Sequence, residues 1–135
     1  MSKQFKVLVS RRLPVDVAAR VDQDYDAVLN QEDDRYSTEA LLAAAEGKDA
    51  LMVSSSDKLS ADVLAKMPDT VRIIATVSVG YEHIDVDAAT KNGIIITNTP
   101  DVLTEATSDT GMLLLLAAAR RAHEGQALVR ENKWQ

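Results

Sequence analysis

The chain alternates short apolar runs, rich in β-branched residues, with longer segments whose apolar positions recur at helical spacing. Lys6 to Ser10 (Lys-Val-Leu-Val-Ser) reads as a strand, and Pro14 suits the first turn of a helix reaching about Asp22. Tyr25 to Leu29 is a second strand run. A polar loop, Asn30 to Tyr36, then leads to Ser37, an N-cap for a helix from Thr38 to Glu46 that Gly47 stops. Ala50 to Val53 reads as the third strand, Ser60 as the cap of a helix through about Lys66, and Val71 to Val77 as the fourth strand. Asp85 caps Val86 to Asn92 and Gly93 closes that helix; the three-isoleucine run Ile94 to Thr97 follows as the fifth strand. From Thr104 to about Arg130 the pattern predicts one long helix.

Strands that alternate with helices argue for an α/β fold with a parallel sheet, because each parallel connection needs a crossover. The expected arrangement is a flavodoxin-like, doubly wound, five-stranded sheet of order 2-1-3-4-5, followed by the long C-terminal helix. The strand runs are almost continuously apolar, as strands covered on both faces should be. The expected core is therefore Val7, Leu8, Val9, Ala27, Val28, Leu51, Met52, Ile73, Ile74, Ile94, Ile95 and Ile96. The one break in composition is Asn98-Thr-Pro-Asp101, which divides the chain into a sheet domain, residues 1–100, and the helix, 101–135.

Composition narrows the function classes. A chain of 135 residues, 46% hydrophobic, is long enough for one core burying roughly 65–70% of its unfolded surface. With 15 Lys plus Arg against 21 Asp plus Glu, the formal charge of -6 opposes a phosphate backbone and argues against nucleic-acid binding. The longest apolar run, Met112 to Ala119, is far short of the roughly 20 residues that span a bilayer. The opening Met-Ser-Lys-Gln-Phe-Lys has no apolar stretch of a secretory signal, and there is no cysteine. The cytosol is the default compartment.

In open parallel sheets ligands bind beyond the carboxyl ends of the strands, so the loops Ser54 to Asp57, Ser78 to Ile84 and Asn98 to Leu103 are the places to look. Ser78-Val79-Gly80-Tyr81 follows a strand run, and its glycine can turn backbone N–H groups inward as a nest for a carboxylate or phosphate. The plainer alternative is a tight strand-to-helix turn. His83, between Glu82 and Asp85, is a general-base candidate by position, with a solvated loop histidine as the economical alternative. His123 follows Arg120 and Arg121, where a cationic cluster marks an exposed face. Neither histidine has a partner at metal-ligand spacing. Ser54-Ser55-Ser56 lacks a nucleophile elbow and reads as a polar loop. The five glycines, 47, 80, 93, 111 and 125, cannot form G-x-G-x-x-G or a P-loop.

One stretch carries more information than these features. Ser-Val-Gly-Tyr-Glu-His-Ile-Asp (78 to 85), Ala88 through Asn-Gly-Ile-Ile-Ile-Thr-Asn-Thr-Pro100, and Asp101 through Ser-Asp-Thr-Gly-Met-Leu-Leu-Leu-Leu-Ala-Ala-Ala-Arg-Arg121 closely resemble the D-isomer-specific 2-hydroxyacid dehydrogenases, nearest their glyoxylate/hydroxypyruvate reductase branch. Weaker similarity reaches back to Lys6. The resemblance implies that the chain is the amino-terminal substrate-domain portion of such an enzyme, with a Rossmann domain binding NAD or NADP absent from it. It implies that Val79 and Gly80, with Ser78, hold the substrate carboxylate through their backbone. Ser55 would border the substrate, and Thr104 would approach the cofactor at the domain cleft. The family's catalytic arginine, glutamate and histidine come from later in the chain; none maps here, and His83 is not that histidine.

Two readings follow. In the first, the chain is part of an oxidoreductase that reduces small 2-oxo acids to D-2-hydroxy acids by hydride transfer, is inactive alone, and binds the dinucleotide poorly. In the second, it is a stand-alone flavodoxin-like module that binds a small anion or a partner. Met112 to Ala119 is apolar around its whole circumference, so the helix should be buried, by folding back or by exchange through residues 104–130 into a homodimer.

Overall fold

The structure, a computed structural model, describes residues 4–135. Of the opening stretch examined for a secretory signal, Met1 to Lys3 lie outside the described residues. The elements run β1 (Lys6–Val9), α1 (Val15–Asp24), β2 (Asp26–Leu29), α2 (Thr38–Ala45), β3 (Ala50–Val53), α3 (Ala61–Leu64), β4 (Ile73–Thr76), α4 (Val86–Lys91), β5 (Ile95–Thr97), α5 (Thr104–Ala119) and α6 (Ala122–Arg130). All five strands pair in parallel in the order β2-β1-β3-β4-β5, the expected flavodoxin-like α/β topology. The chain divides into two compact units, one ending at Pro100 and one spanning Asp101–Gln135.

Local chemistry sets most element ends. The Ser37 hydroxyl accepts from Ala40 N–H, and the Asp85 carboxylate accepts from Ala88 N–H at 2.9 Å, each satisfying a free donor at a helix start. Ser60 makes no such side-chain bond, so it precedes α3 without capping it. Gly47 and Gly93 end α2 and α4 with φ of +67° and +69°, where a side chain would be strained. Pro14 stands just before α1 at ψ 146°, outside its first turn.

Register explains the core. Ladder pairs place Val28, Leu8, Leu51, Ile74 and Ile96 in one row across the sheet. On that face Leu8, Leu51 and Ile74 are at most 1% exposed, packed with Leu41 and Ala45 of α2, Val63 and Leu64 of α3, and Ala89 of α4. Burying each large aliphatic side chain stabilises by about 1.5–3 kcal/mol. The opposite face carries Ala27, Val7, Ala50, Ile73 and Ile95, and its buried residues are Val7, Val9 and Val21 of α1.

The expectation of a sheet core covered on both sides is corrected here. Val28, Ile73 and Ile95 are 44%, 40% and 58% exposed, and Ala27, Met52 and Ile96 are half-buried. Right-handed crossovers supply the reason. The β1-to-β2 connection moves one way and puts α1 on one face, whereas the three later connections move the other way and put α2, α3 and α4 on the opposite face. Within this unit β4 and β5 therefore have helical cover on one side only. An apolar groove of about 400 Å³ lies on the other side, lined by Phe5, Tyr25, Ala50, Met52, Ile73 and Ala75 among others.

The second unit also departs from expectation. The predicted single helix from Thr104 to Arg130 is two helices, because α5 ends with Arg120 N–H on the Leu116 carbonyl and Arg121 adopts a left-handed φ of 49°. The Arg121 guanidinium then pairs with Glu124 at 2.8 Å at the start of α6. Ala117 to Ala122 contains no helix breaker, so composition does not mark this turn. No residue of α5 is buried, and Met112 to Leu116 are 56–66% exposed.

Candidate functional site

Ser10, Asp57 and Thr76 are the buried polar residues among those described, and they sit at or just beyond the carboxyl ends of β1, β3 and β4. This is the sheet edge where ligands of open parallel sheets bind. Burying polar groups costs free energy unless they are bonded, and among the described residues no buried side-chain nitrogen or oxygen lacks a partner.

Asp57 organises the loop after β3. Its Oδ2 accepts from Ser10 Oγ at 2.6 Å, Ser54 N–H at 2.8 Å and Ser54 Oγ at 3.3 Å. Asp57 N–H returns a bond to the Ser54 carbonyl at 3.0 Å, closing a tight turn. Arg11 lies alongside, forked onto Asp33 at 2.9 and 3.0 Å and reaching Ser56 Oγ at 3.4 Å. The hydrogen bond from Arg11, then that from Arg12 N–H, holds the Asp33 carboxyl below its ordinary range; the same pairing raises Arg11. The Ser54 hydroxyl bonds Asp57 and lies 2.8 Å from Ser56 Oγ, so Ser54 and Ser56 brace the loop.

The loop after β4 has a different design. The Ser78 carbonyl accepts from Thr99 N–H at 3.0 Å, the Val79 carbonyl from Asn98 Nδ2 at 2.8 Å, and the Gly80 carbonyl from Ser78 Oγ at 2.6 Å. Three consecutive peptide planes are thereby fixed. In a trans peptide the N–H points away from the preceding carbonyl, so these bonds orient the N–H groups of Val79, Gly80 and Tyr81. Those N–H groups donate no hydrogen bond within the described chain. Unpaired, oriented amides of this kind suit an anion. Gly80 does not use a left-handed φ, and the atoms nearest a Cβ there belong to the Glu82 carboxylate, the far end of a flexible side chain.

Ser78, Val79 and Gly80 are thus brought together with Thr76, Asn98 and Thr99. His83 is half-buried with its Nε2 2.9 Å from Thr76 Oγ1, so it is neither a free base at that nitrogen nor a solvated loop residue. Ser55 is exposed and lines an open pocket of about 400 Å³ with Lys58, Ser60, Glu82 and His83. A parallel bridge, Leu59 N–H to the His83 carbonyl at 2.8 Å and Asp85 N–H to the Leu59 carbonyl at 2.9 Å, ties this loop to the next. Thr104 is the exposed first residue of α5, its carbonyl accepting from Ser108 Oγ at 2.9 Å. Asp57, Asn98 and Thr76 were not singled out by sequence; the available signal for Thr76 and Asn98 was a polar residue at the end of an apolar strand, and Asp57, four residues beyond β3, had none.

The described residues hold no glycine-rich cradle for a dinucleotide pyrophosphate at the first strand-to-helix turn. The turn after β1, where a pyrophosphate would approach a glycine-rich backbone, holds Ser10 and Arg11 and is closed by the carboxylates of Asp57 and Asp33. Among the described residues no group of three or more His, Asp or Glu is placed to hold a metal ion, and no helix is long and apolar enough to cross a membrane.

Residues 7–128 match the family model of the D-isomer specific 2-hydroxyacid dehydrogenase catalytic domain, and the chain belongs to that family. A glycerate dehydrogenase of Hyphomicrobium methylovorum is 36% identical over 134 residues, 99% of this chain and 41% of that protein. A glyoxylate reductase of Thermococcus onnurineus is 39% identical, over 96% of this chain and 38% of its own length. Among solved structures, a D-isomer specific 2-hydroxyacid dehydrogenase from Polaromonas sp. JS6 66 superposes with TM-score 0.82 at 36% identity, covering 96% of this chain and 41% of the other. An NADPH-dependent glyoxylate/hydroxypyruvate reductase from Sinorhizobium meliloti, in complex with citrate, does so with TM-score 0.78 at 30% identity, covering 97% and 40%. The chain therefore spans about two fifths of the length of these relatives.

Proposed function

We propose that this chain is the substrate domain of a cytoplasmic NAD(P)-dependent dehydrogenase that reduces small 2-oxo acids, of the glyoxylate or hydroxypyruvate type, to D-2-hydroxy acids. The observation that carries the reading is the set of fixed peptide planes at Ser78 to Gly80, which leaves the Val79 and Gly80 amides free for the substrate carboxylate. The names of the relatives support the substrate class, and the citrate complex of one of them is a carboxylate complex. Ser55, across the bridged loops, borders the substrate, and Thr104 approaches the cofactor. The nicotinamide cofactor supplies hydride in the complete enzyme; the residues of this chain bind and orient the acid and take no part in proton transfer. The exposed leucines of α5 are covered by a second copy in a homodimer, exchanged through residues 104–130.

Titration of the ¹⁵N-labelled chain with glycolate tests the assignment, with neutral glycolamide as control. Saturable shifts of the Val79 and Gly80 amide signals with glycolate alone are expected; shifts scattered over surface lysines and arginines, or none, would overturn it. The chain alone should not oxidise NADH or NADPH with glyoxylate, and measurable turnover would contradict the division of labour. Light scattering should give a dimer at micromolar concentration; a monomer sinks the proposed pairing.

A further inference from the structure

The hydrogen bonds around Thr76 allow one set of donor directions, and that set gives His83 a task. A carbonyl only accepts, so the 2.6 Å contact between Ser78 Oγ and the Gly80 carbonyl consumes the one hydroxyl hydrogen of Ser78. In the 2.8 Å contact between Thr76 Oγ1 and Ser78 Oγ, Thr76 must then be the donor. That consumes the Thr76 hydrogen. In the 2.9 Å contact between Thr76 Oγ1 and His83 Nε2, the imidazole must therefore donate. The chain runs His83 Nε2–H to Thr76 O–H to Ser78 O–H to the Gly80 carbonyl, and its middle member is 2% exposed.

From this geometry we propose that His83 is a positioning residue of the anion-binding loop, held in the Nε2–H form, and that it acts through Thr76 and Ser78 on the peptide plane after Gly80. The proposal rests on the reading of the Val79 and Gly80 amides as the carboxylate site and adds Tyr81 N–H, the amide of that third plane, as a further donor to the same anion. Asn98 and Thr99 fix the two preceding planes from outside the loop, whereas the third plane is fixed through Ser78, a residue of the loop itself. A hydroxyl of a loop is a weak anchor unless something rigid orients it. Thr76 on β4 supplies the rigid point, and the donor from His83 fixes which way its hydroxyl hydrogen turns. The Leu59–Ile84 bridge steadies the imidazole, because the His83 carbonyl accepts from Leu59 N–H at 2.8 Å. The ring nitrogen bonded to Thr76 is committed, so His83 cannot serve as a base through it.

Two measurements on the 135-residue chain test this. A long-range ¹H–¹⁵N spectrum of the imidazoles, with His83 assigned through the His83→Gln variant, should show neutral His83 protonated at Nε2 and bare at Nδ1; the opposite tautomer overturns the proposal. Glycolate titration of His83→Phe should show affinity weakened roughly five- to tenfold, the effect of losing one net hydrogen bond, with His83→Gln, which keeps an N–H donor of similar reach, within about twofold of wild type. Wild-type shifts at Val79 and Gly80 with equal affinity in His83→Phe would overturn the positioning role and leave the carboxylate site standing. No glycolate shift in the wild type would remove the site and the role together, whereas loss of affinity in Phe without rescue by Gln would overturn the role alone. Should His83→Phe fail to fold, the tautomer and the Gln titration decide.

Discussion

Replacing Asp57 with Ala should be among the costliest single changes in the sheet unit, although the residue lies in a loop. The carboxylate is 7% exposed and accepts from Ser10 Oγ, Ser54 N–H and Ser54 Oγ. Its loss leaves a fully buried Ser10 hydroxyl and a Ser54 N–H without their acceptor, at about 1–3 kcal/mol for each orphaned group. A total of about 3 kcal/mol is a large share of the 5–15 kcal/mol that holds a domain together. For a unit of this size it corresponds to a drop in Tm of roughly 12–24 °C, read by circular dichroism. Asp57→Asn keeps one carbonyl acceptor and should lose only about 1 kcal/mol. The sharper check is a double-mutant cycle. Ser10→Ala should destabilise the wild-type chain, where it strips a bond from a buried carboxylate, and be neutral or slightly stabilising in the Asp57→Ala background, where it removes an orphan. Equal costs of Ser10→Ala in both backgrounds would refute the account, since the two side chains would then act independently.

Other expectations follow from burial, charge and loop geometry. Ile74→Ala, at 0% exposure beneath α2 to α4, should cost about 2–5 kcal/mol, whereas Ile95→Ala on the uncovered face should cost less than about 1 kcal/mol; urea midpoints of the two variants test the asymmetry. Asp33 is held below its ordinary range in the folded chain, so its stabilising contribution is complete above the unfolded aspartate pKa and disappears as pH falls through the lowered folded value. Asp33→Asn should therefore be less stable than wild type at neutral pH, with the two urea midpoints converging as pH falls below the ordinary aspartate range, and a gap constant with pH would count against the Arg11 pairing. Gly80→Ala should leave stability within about 0.5 kcal/mol, because the atoms nearest the new Cβ are those of the flexible Glu82 carboxylate, which can swing aside; a loss of several kcal/mol would mean that the loop cannot yield there.

The strand order was legible because it depends on few signals: apolar runs short enough to be strands, helical spacing between them, and the rule that parallel neighbours are joined by right-handed crossovers. The same rule, carried one step further, would have foretold the uncovered face. Three crossovers in one direction and one in the other leave Ile73 and Ile95 without a helix, but a continuous Ile-Ile-Ile run looks alike whether one face or both are covered. Periodicity cannot tell them apart. The break at Arg121 was invisible for a different reason, because alanine and arginine are both good helix formers and the left-handed turn owes nothing to local propensity.

At the candidate site the visible element was the glycine, yet the structure gives Gly80 an ordinary φ and assigns the shaping of the loop to hydrogen bonds from Asn98 and Thr99, 19 and 21 positions beyond their acceptors. Such partners are chosen by strand register, since β4 and β5 pair through Ala75 and Thr97 and this alignment delivers the residues just beyond β5 to the loop just beyond β4. Register is a property of the folded sheet. The amide donors themselves carry no side-chain signature at all, so Val79 is an unremarkable valine in the sequence, and its N–H is oriented only when the Ser78 carbonyl is tied to Thr99. What a sequence can reveal of a backbone anion site is therefore its supports: short polar residues, here Thr76, Ser78, His83 and Asn98, set at the carboxyl ends of apolar strands where burial obliges each of them to find a partner.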